Sequence, residues 1–145
     1  MKYDTICLSR MLNKSILLVE NEPAQRELVR HVLEPRGCSI TEAGDGAAAI
    51  KELATGTFAA ILLDLRMPHA SGEMVIQWVL ANRPEVKPQI LVVTGDVLSP
   101  GLDAFLDRAQ IPMLCKPYLL ADLVSAVEKI IARAPAEPSR RSASS

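Results

Sequence analysis

The sequence predicts an α/β fold in which helices cover both faces of a parallel β-sheet. Short apolar segments alternate five times with segments of helical character, and this order is typical of doubly wound βα units. Three of the apolar segments are almost continuously aliphatic, as expected for strands that are buried on both faces. The length of 145 residues suits a single domain of this class.

The predicted strands are bounded by turn-forming residues. The three nearly continuous aliphatic segments are SILLVE, AAILLD and QILVVT. The other two segments are shorter or more polar, and they complete the alternation of strand and helix. The five predicted strands cover residues 15–20, 38–43, 59–64, 89–94 and 113–116.

Each predicted strand is followed by a predicted helix. The first helix begins at Pro23, which suits a first helical turn, and its apolar stripe over 28–33 ends before Gly37. The last covers 119–133 and has apolar residues at every third or fourth position, which indicates a helix with one buried face. The three remaining predicted helices cover residues 47–53, 72–81 and 100–109.

Composition excludes several classes of protein. Sixteen basic and seventeen acidic residues give a net charge of −1, so no broad basic surface for nucleic acid or an anionic membrane is expected. No apolar run approaches the roughly 18 residues of a membrane-spanning helix. Cys7, Cys38 and Cys115 are odd in number and widely spaced, which argues against a disulfide framework or a zinc site. We therefore expect buried free thiols in a cytoplasmic protein without direct nucleic-acid or membrane contact.

The domain is expected to occupy residues 15–133. Residues 1–14 show no periodicity and form a predicted N-terminal extension. Residues 134–145 are small, polar and proline-containing, so we expect a disordered tail. This tail is too short to fold as a second domain, which indicates a stand-alone domain.

Polar residues with complementary chemistry follow four of the predicted strands. Ligands of open parallel sheets bind at the carboxyl ends of the strands, where this chain places Glu20, Asn21, Asp64, Thr94 and Lys116. Carboxylate and amide oxygens suit Mg²⁺, while lysine and threonine suit a phosphoryl group. Each residue alone is often a turn former or a helix cap, but their joint occurrence favours a phosphoryl site with Asp64 as the nucleophile.

A nucleotide-binding site is an alternative interpretation. Residues 44–49 match the pattern G-x-G-x-x-A between a predicted strand and a predicted helix. Asp64 lies about 20 residues after Gly44, where an acidic residue would contact a ribose. This interpretation leaves Glu20, Thr94 and Lys116 without a role, and it stays open at this point.

Five segments together carry a resemblance to a known family. They are ILLVENEP at 16–23, EAGDGAAAI at 42–50, LLDLRMPHASG at 62–72, LVVTGD at 91–96 and PMLCKPY at 112–118. In this order, and over residues 15–133, the sequence resembles a response-regulator receiver domain of two-component signalling. The resemblance implies a flavodoxin-like sheet of five parallel strands in the order 2-1-3-4-5.

The resemblance also implies roles for individual residues. Asp64 would be the phosphoacceptor, Thr94 the switch hydroxyl and Lys116 the lysine that senses the phosphoryl group, with a cis peptide between Lys116 and Pro117. The implied ligands of Mg²⁺ are Glu20, Asn21, Asp64 and the backbone carbonyl of Arg66. Separately from the resemblance, Arg66 and Asp96 lie near the site in sequence, where they would pair across it or contact the attacking water and so tune the lifetime of the phosphoryl group. An exposed salt bridge without this effect is the alternative.

Two positions depart from the family's pattern. Asn21 stands where an aspartate is usual, so weaker Mg²⁺ binding is expected. Met113 replaces the usual aromatic switch residue of the fifth strand. A degenerate receiver that binds partners without being phosphorylated is therefore a second alternative.

The function implied by the resemblance is phosphoryl acceptance followed by contact with another protein. A sensor histidine kinase or a histidine phosphotransfer protein would supply the group to Asp64. The protein would not be an enzyme, although it would assist its own phosphorylation and dephosphorylation. A downstream partner would bind the surface formed by residues 100–109, 113–116 and 119–133, and homodimer formation is a further option.

Overall fold

The computed structural model describes residues 11–95 and 98–133, without the side chains of residues 70 and 71. Within these residues the strands and helices alternate as expected. The strands are β1 (Ser15–Val19), β2 (Ser39–Ala43), β3 (Ala60–Leu63), β4 (Ile90–Thr94) and β5 (Met113–Cys115). The helices are α1 (Pro23–Leu33), α2 (Gly46–Thr55), α3 (Ser71–Asn82), α4 (Pro100–Ala109) and α5 (Leu120–Arg133).

The sheet confirms the predicted fold class and strand order. Its order is β2-β1-β3-β4-β5, and every neighbouring pair of strands is parallel. Leu17 of β1 is opposite Thr41 of β2 and Ile61 of β3, which places the interior strand β1 in register with both neighbours. Because all strands are parallel, their carboxyl ends lie along one edge of the sheet.

Hydrophobic cores form on both faces of the sheet. Along β3, Ile61 and Leu63 pack into the core under α2, α3 and α4, whereas Ala60 and Leu62 pack into the core under α1 and α5. The strand is therefore covered on both sides, which is the physical reason for its continuous aliphatic sequence. In the part of the chain that is described, no helix has the length and apolar character needed to cross a membrane.

Residues 11–14, before the predicted boundary at residue 15, pack against the domain. Met11 is fully buried, and the backbone of residues 13–14 joins the turn that precedes β2. Asn13 N–H donates to the carbonyl of Gly37 at 3.0 Å, and Ser39 N–H donates to the carbonyl of Lys14 at 2.9 Å. Residues 1–10 and the predicted tail at 134–145 lie outside the described residues.

Two of the cysteines differ in environment. Cys38 is buried, and burial raises the pKa of its thiol to about 11. Cys115 is exposed, so the expectation of a buried thiol is wrong at that position. The reason is that β5 is an edge strand, which leaves one side of Cys115 uncovered. Cys7 lies outside the described residues.

Candidate functional site

The carboxyl ends of β1, β3, β4 and β5 bring four of the predicted site residues together. Glu20 and Asp64 are each 4% exposed and Thr94 is fully buried, although all three are polar. The parallel pairing continues just past the strands, because Asp64 N–H donates to the carbonyl of Val19 at 3.1 Å. Lys116 N–H likewise donates to the carbonyl of Thr94 at 2.8 Å. The sheet itself therefore positions these residues.

Lys116 bridges the two buried carboxylates. Its Nζ lies 3.1 Å from Glu20 Oε1 and 3.4 Å from Asp64 Oδ2. The remaining carboxylate oxygens accept backbone hydrogen bonds: Glu20 Oε2 from the N–H of Glu22 at 3.2 Å, and Asp64 Oδ1 from the N–H of Arg66 at 2.8 Å. The Asp64 carboxylate is thereby held in one orientation, with an ammonium group beside it.

The charges in this cluster depend on one another. Burial raises the pKa of Glu20, although the hydrogen bond from Lys116 and the Glu22 amide oppose this effect. Burial alone would lower the pKa of Lys116, but its hydrogen bond to Glu20 and the negative charges of Asp64 and Glu20 outweigh burial and raise it. Lys116 is therefore a cation at neutral pH, which suits a residue that contacts an anionic group.

The donor atoms at this edge fit Mg²⁺. Glu20 and Asp64 supply carboxylate oxygens, the exposed Asn21 adds an amide oxygen, and Arg66 adds a backbone carbonyl next to Asp64. These are hard oxygen donors, which Mg²⁺ prefers, and Mg²⁺ commonly keeps several waters beside one or two carboxylates. Among the described residues no group of three or more acidic, histidine or cysteine side chains is placed to hold a metal. With Asn21 in place of an acid, the site supplies two carboxylates.

Arg66 and the residues after β4 complete one side of the site. A Cβ atom placed on Gly95 would lie 3.2 Å from Arg66 Nη1 and 3.6 Å from Lys116 Cβ, so the Arg66 side chain passes over Gly95. Asp96, the expected partner of Arg66, lies outside the described residues. The Lys116–Pro117 peptide is cis, in agreement with what the resemblance implies.

The turn after Asp64 depends on a glycine. A Cβ atom on Gly72 would lie 2.6 Å from the carbonyl oxygen of Asp64 and 2.8 Å from Leu65 Cα. Any other residue at this position would force the backbone away from Asp64. The spacing D-x-x-M-P-x-x-x-G therefore has a packing reason, because it lets the start of α3 approach the backbone of Asp64 and Leu65 closely.

Sequence reasoning missed two residues beside the cluster. Gln25 and Tyr118 line a small cavity of about 10 Å³ together with Glu20, Asp64 and Lys116, a volume near that of one water molecule. Burial raises the pKa of Tyr118. Neither residue follows a strand directly, so the pattern of strand ends could not have identified them.

The structure does not support the nucleotide-binding interpretation. Asp45 Oδ1 accepts a hydrogen bond from the N–H of Ala48 at 2.8 Å, so this side chain caps α2. Strand β1 lies between β2 and β3, which separates Gly44 from Asp64 by two strand spacings, or about 10 Å. An acidic residue that binds a ribose is expected at the end of a strand that neighbours the glycine-rich turn's own strand. Here Gly44 follows β2 and Asp64 follows β3, which are not neighbours, so the spacing of about 20 residues does not bring Asp64 to the expected place.

Comparison with known proteins identifies the family. A sequence profile of the response regulator receiver domain matches residues 16–128. The chain is 32% identical over 121 residues to the response regulator receiver protein CpdR of Brucella abortus, and the match covers 81% of this chain and 97% of CpdR. Several other curated relatives are longer proteins, of which the chain spans between 17% and 54%.

Solved structures give the same result. The receiver domain of the sensor histidine kinase PA1611 from Pseudomonas aeruginosa, with a magnesium ion in its active-site cleft, is 26% identical with a TM-score of 0.72. That match covers 83% of this chain and 98% of the receiver domain. The response regulator TrrA of Thermotoga maritima, in complex with Mg²⁺ and BeF, is 28% identical with a TM-score of 0.69, over 81% of this chain and 98% of TrrA. This chain belongs to the response-regulator receiver domains of two-component signalling.

Proposed function

We propose that Asp64 accepts a phosphoryl group from a phosphohistidine of a sensor kinase or a phosphotransfer protein. The observation that carries the proposal is the Asp64 carboxylate, which is buried at the strand end between the Lys116 ammonium and the Arg66 amide. A carboxylate oxygen attacks phosphorus, the new O–P bond forms, and the histidine nitrogen leaves with the electrons of the N–P bond. The product is an aspartyl phosphate.

The residues around Asp64 assist this transfer. In this proposal the protein is a phosphoryl acceptor and not an enzyme, because the phosphoryl group ends on its own Asp64. Glu20, Asn21, Asp64 and the Arg66 carbonyl would hold Mg²⁺, which when bound neutralises negative charge on the phosphoryl oxygens. Lys116 contributes a positive charge from the other side of Asp64. The buried hydroxyl of Thr94 stands at the end of the adjacent strand, where it can donate to a phosphoryl oxygen.

Phosphorylation would be communicated through the surface of α4, β5 and α5. Thr94 is in register with Cys115, so a shift of Thr94 toward the phosphoryl group would act directly on β5. The β5–α5 part of this surface exposes large apolar side chains, including Met113 at 38% and Leu119 at 71%. Exposed apolar side chains of this kind favour a protein partner, and phosphorylation would shift the population that binds it.

The test is intact-mass spectrometry after incubation with acetyl phosphate, with and without Mg²⁺. We expect one phosphoryl group on the wild type in the presence of Mg²⁺, and none on Asp64→Asn. The matched control is Asp45→Asn, which changes an aspartate outside the site and should be phosphorylated like the wild type. Phosphorylation of Asp64→Asn to the same extent would contradict the assignment.

Asn21 favours a second candidate function, a receiver that binds its partner without phosphorylation. The loss of one carboxylate weakens the case for metal-dependent chemistry. Beryllofluoride mimics the phosphoryl group and does not hydrolyse, so its binding separates a short-lived aspartyl phosphate from an inactive site. Failure of both acetyl phosphate and beryllofluoride would favour the second candidate.

A further inference from the structure

We propose that Arg26 is a positioning residue for the metal-binding turn formed by Glu20 and Asn21. The inference rests on the proposed function, since it concerns the same Mg²⁺ site. Arg26 belongs to α1 and does not follow a strand, and none of the roles described above involves it. Its contacts nevertheless reach the backbone that carries two of the four metal donors.

Arg26 joins the ends of two strands. Its Nη1 donates to the carbonyl oxygen of Glu20 at 2.7 Å, directly after β1, and its Nε donates to Glu42 Oε1 at 3.0 Å, within β2. The Arg26 side chain is only 20% exposed. A planar guanidinium with two partners on different strands is held in one geometry, and it holds its partners in turn.

The carbonyl of Glu20 belongs to the peptide group that connects Glu20 to Asn21. Because a peptide group is planar, a hydrogen bond that fixes this oxygen also fixes the direction in which the chain leaves toward Asn21. The Glu20 side chain is fixed from the other side, since its Oε2 accepts from the N–H of Glu22. Arg26 thus sets the relative placement of the Glu20 carboxylate and the Asn21 amide.

The positive charge of Arg26 would by itself weaken Mg²⁺ binding, whereas its placement of the metal donors would strengthen it. A cation near the site repels Mg²⁺, and this repulsion is reduced because Glu42 is paired with both Arg26 and Arg30. If Arg26 acted only through its charge, its removal would tighten Mg²⁺ binding. If Arg26 positions the turn, its removal weakens Mg²⁺ binding, so the two roles predict changes of opposite sign.

The chain offers a matched control. Arg30 Nη1 contacts Glu42 Oε2 at 3.0 Å and Arg30 Nε contacts Glu34 Oε2 at 3.2 Å, while no contact with Glu20 is present among the described residues. Arg30→Met therefore removes a cation from the same ion-pair network without touching the turn. Arg26→Lys keeps the charge of Arg26, but a single ammonium on a different stem does not reproduce the two-sided contact.

The experiment is a calorimetric Mg²⁺ titration of the full chain as wild type, Arg26→Met, Arg26→Lys and Arg30→Met. Loss of a residue that orients metal ligands typically lowers metal affinity 10- to 100-fold, so we expect Arg26→Met to raise the Kd at least about tenfold. Arg26→Lys should show most of this loss, and Arg30→Met should bind like the wild type. An unchanged or lower Kd for Arg26→Met would overturn the inference.

A second readout is independent of the metal. The amide of Glu22 reports on the turn, because it donates to Glu20 Oε2. In metal-free protein, its NMR chemical shift should move and its hydrogen exchange accelerate in Arg26→Met and Arg26→Lys, and stay unchanged in Arg30→Met. Equal changes in all three variants would indicate a general loss of stability and would also overturn the inference.

The outcomes separate this inference from the proposed function. If the wild type binds Mg²⁺ and becomes phosphorylated while Arg26→Met and Arg26→Lys do so equally well, only the role of Arg26 fails. If the wild type neither binds Mg²⁺ nor becomes phosphorylated, the proposed function and the role of Arg26 fail together.

Discussion

At the scale of single residues, Lys116 determines the charge balance of the site. One ammonium lies beside two carboxylates that are each 4% exposed, and both contacts are at or below 3.4 Å. Two buried carboxylates without a cation would be costly, since both would have to be desolvated and would repel each other. The lysine thus offsets part of the negative charge that the two carboxylates bring to this edge of the sheet.

Glu20→Gln tests this balance through the pH dependence of stability. Because the pKa of Glu20 is raised in the folded chain, its contribution to the free energy of unfolding is full below the ordinary value of 4.5 and is lost as the pH rises through the raised value. Glu20→Gln cannot titrate, so we expect it to gain stability relative to the wild type between about pH 4 and about pH 7. Urea unfolding at both pH values measures this difference.

The control for this prediction is Glu52→Gln, which changes an exposed glutamate of α2. A pH dependence of Glu20→Gln that matches Glu52→Gln would show that the burial of Glu20 has no energetic consequence.

Asn21→Asp tests the departure from the family's pattern. One additional negative charge about 4 Å from a divalent ion contributes about 2 kcal/mol even with the screening of bulk water, which corresponds to at least about tenfold in affinity. We expect the Mg²⁺ Kd of Asn21→Asp to fall by this factor in a calorimetric titration. Unchanged or weaker binding would mean that position 21 is not a metal ligand.

The sequence is sufficient to predict that residues at the ends of different strands lie close together, because a parallel sheet brings these ends to one edge. Glu20, Asp64, Thr94 and Lys116 were grouped on this ground alone. Arg26 was not identified, because its contact depends on how far a long side chain of α1 reaches across a loop. Such side-chain geometry has no periodicity that a sequence pattern could reveal.

At the scale of elements, helix caps stabilise α2 and α4 at their first turns. Asp45 caps α2 through Ala48 N–H at 2.8 Å, and Ser99 caps α4 through Leu102 N–H at 3.3 Å. Because its hydrogen bond is shorter, the Asp45 cap is expected to contribute more to the stability of the fold than the Ser99 cap. The Ser99 cap also explains why the segment 100–109 is a helix although its apolar pattern is weak, since Ser99 and Pro100 together form a strong start signal.

Asp45→Ala is expected to lower the free energy of unfolding by about 1 kcal/mol, because one amide at the start of α2 loses its partner. Asp45→Asn keeps an acceptor oxygen and should stay close to the wild type. Urea unfolding of the three proteins measures the difference. Equal losses for the alanine and asparagine variants would show that charge, and not the hydrogen bond, is what Asp45 contributes.

The 3₁₀ segment Pro84–Gln89 was not predicted. It is short and contains Pro88, and its position is maintained by long-range contacts that leave little trace in the local sequence. Arg83, just before it, donates through Nη1 to the carbonyls of Leu53 and Gly56, both at 2.8 Å, and so ties the end of α2 to the end of α3. Lys87 similarly contacts the carbonyl of Ala109 at 2.6 Å, at the end of α4.

At the scale of the whole molecule, the sheet separates two hydrophobic cores. In a two-state domain of this size, both cores unfold in the same transition. Leu53 lies in the core under α2, α3 and α4, and Leu123 lies in the core under α1 and α5. Both side chains are almost completely buried, at 1% and 0% exposure. They share no core, so their substitution reports on how the two faces are coupled.

We expect Leu53→Ala and Leu123→Ala each to lower the free energy of unfolding by about 2 to 5 kcal/mol, through lost burial and the cavity that remains. The double variant should show the sum within about 0.5 kcal/mol and a single transition, as expected for distant sites in a two-state domain. Chemical unfolding followed by circular dichroism measures both quantities. Two separate transitions in either single variant would contradict this prediction.

The topology of the whole molecule follows from the sequence more directly than its boundaries do. Continuous aliphatic strands alternating with amphipathic helices leave few arrangements besides a doubly wound parallel sheet. The predicted start of the domain at residue 15 leaves out the buried Met11, because Met11 is a single apolar residue without a periodic neighbour. Its burial arises from tertiary contact with the turn before β2, where the Cys38 thiol donates to its carbonyl at 3.6 Å.

Both ends of the described chain lie on the side of the sheet away from Asp64. Met11 is anchored beside the start of β2, and Arg133 lines a surface pocket with Ile111 and Pro112, just before β5. A strand of five residues separates these points from the opposite edge by about 17 Å. An affinity tag, a fluorescent protein or a sensor-chip linkage joined directly at Met11 or at Arg133 would therefore begin far from Asp64. Binding at that edge could be measured on the immobilised protein with the edge facing the solution.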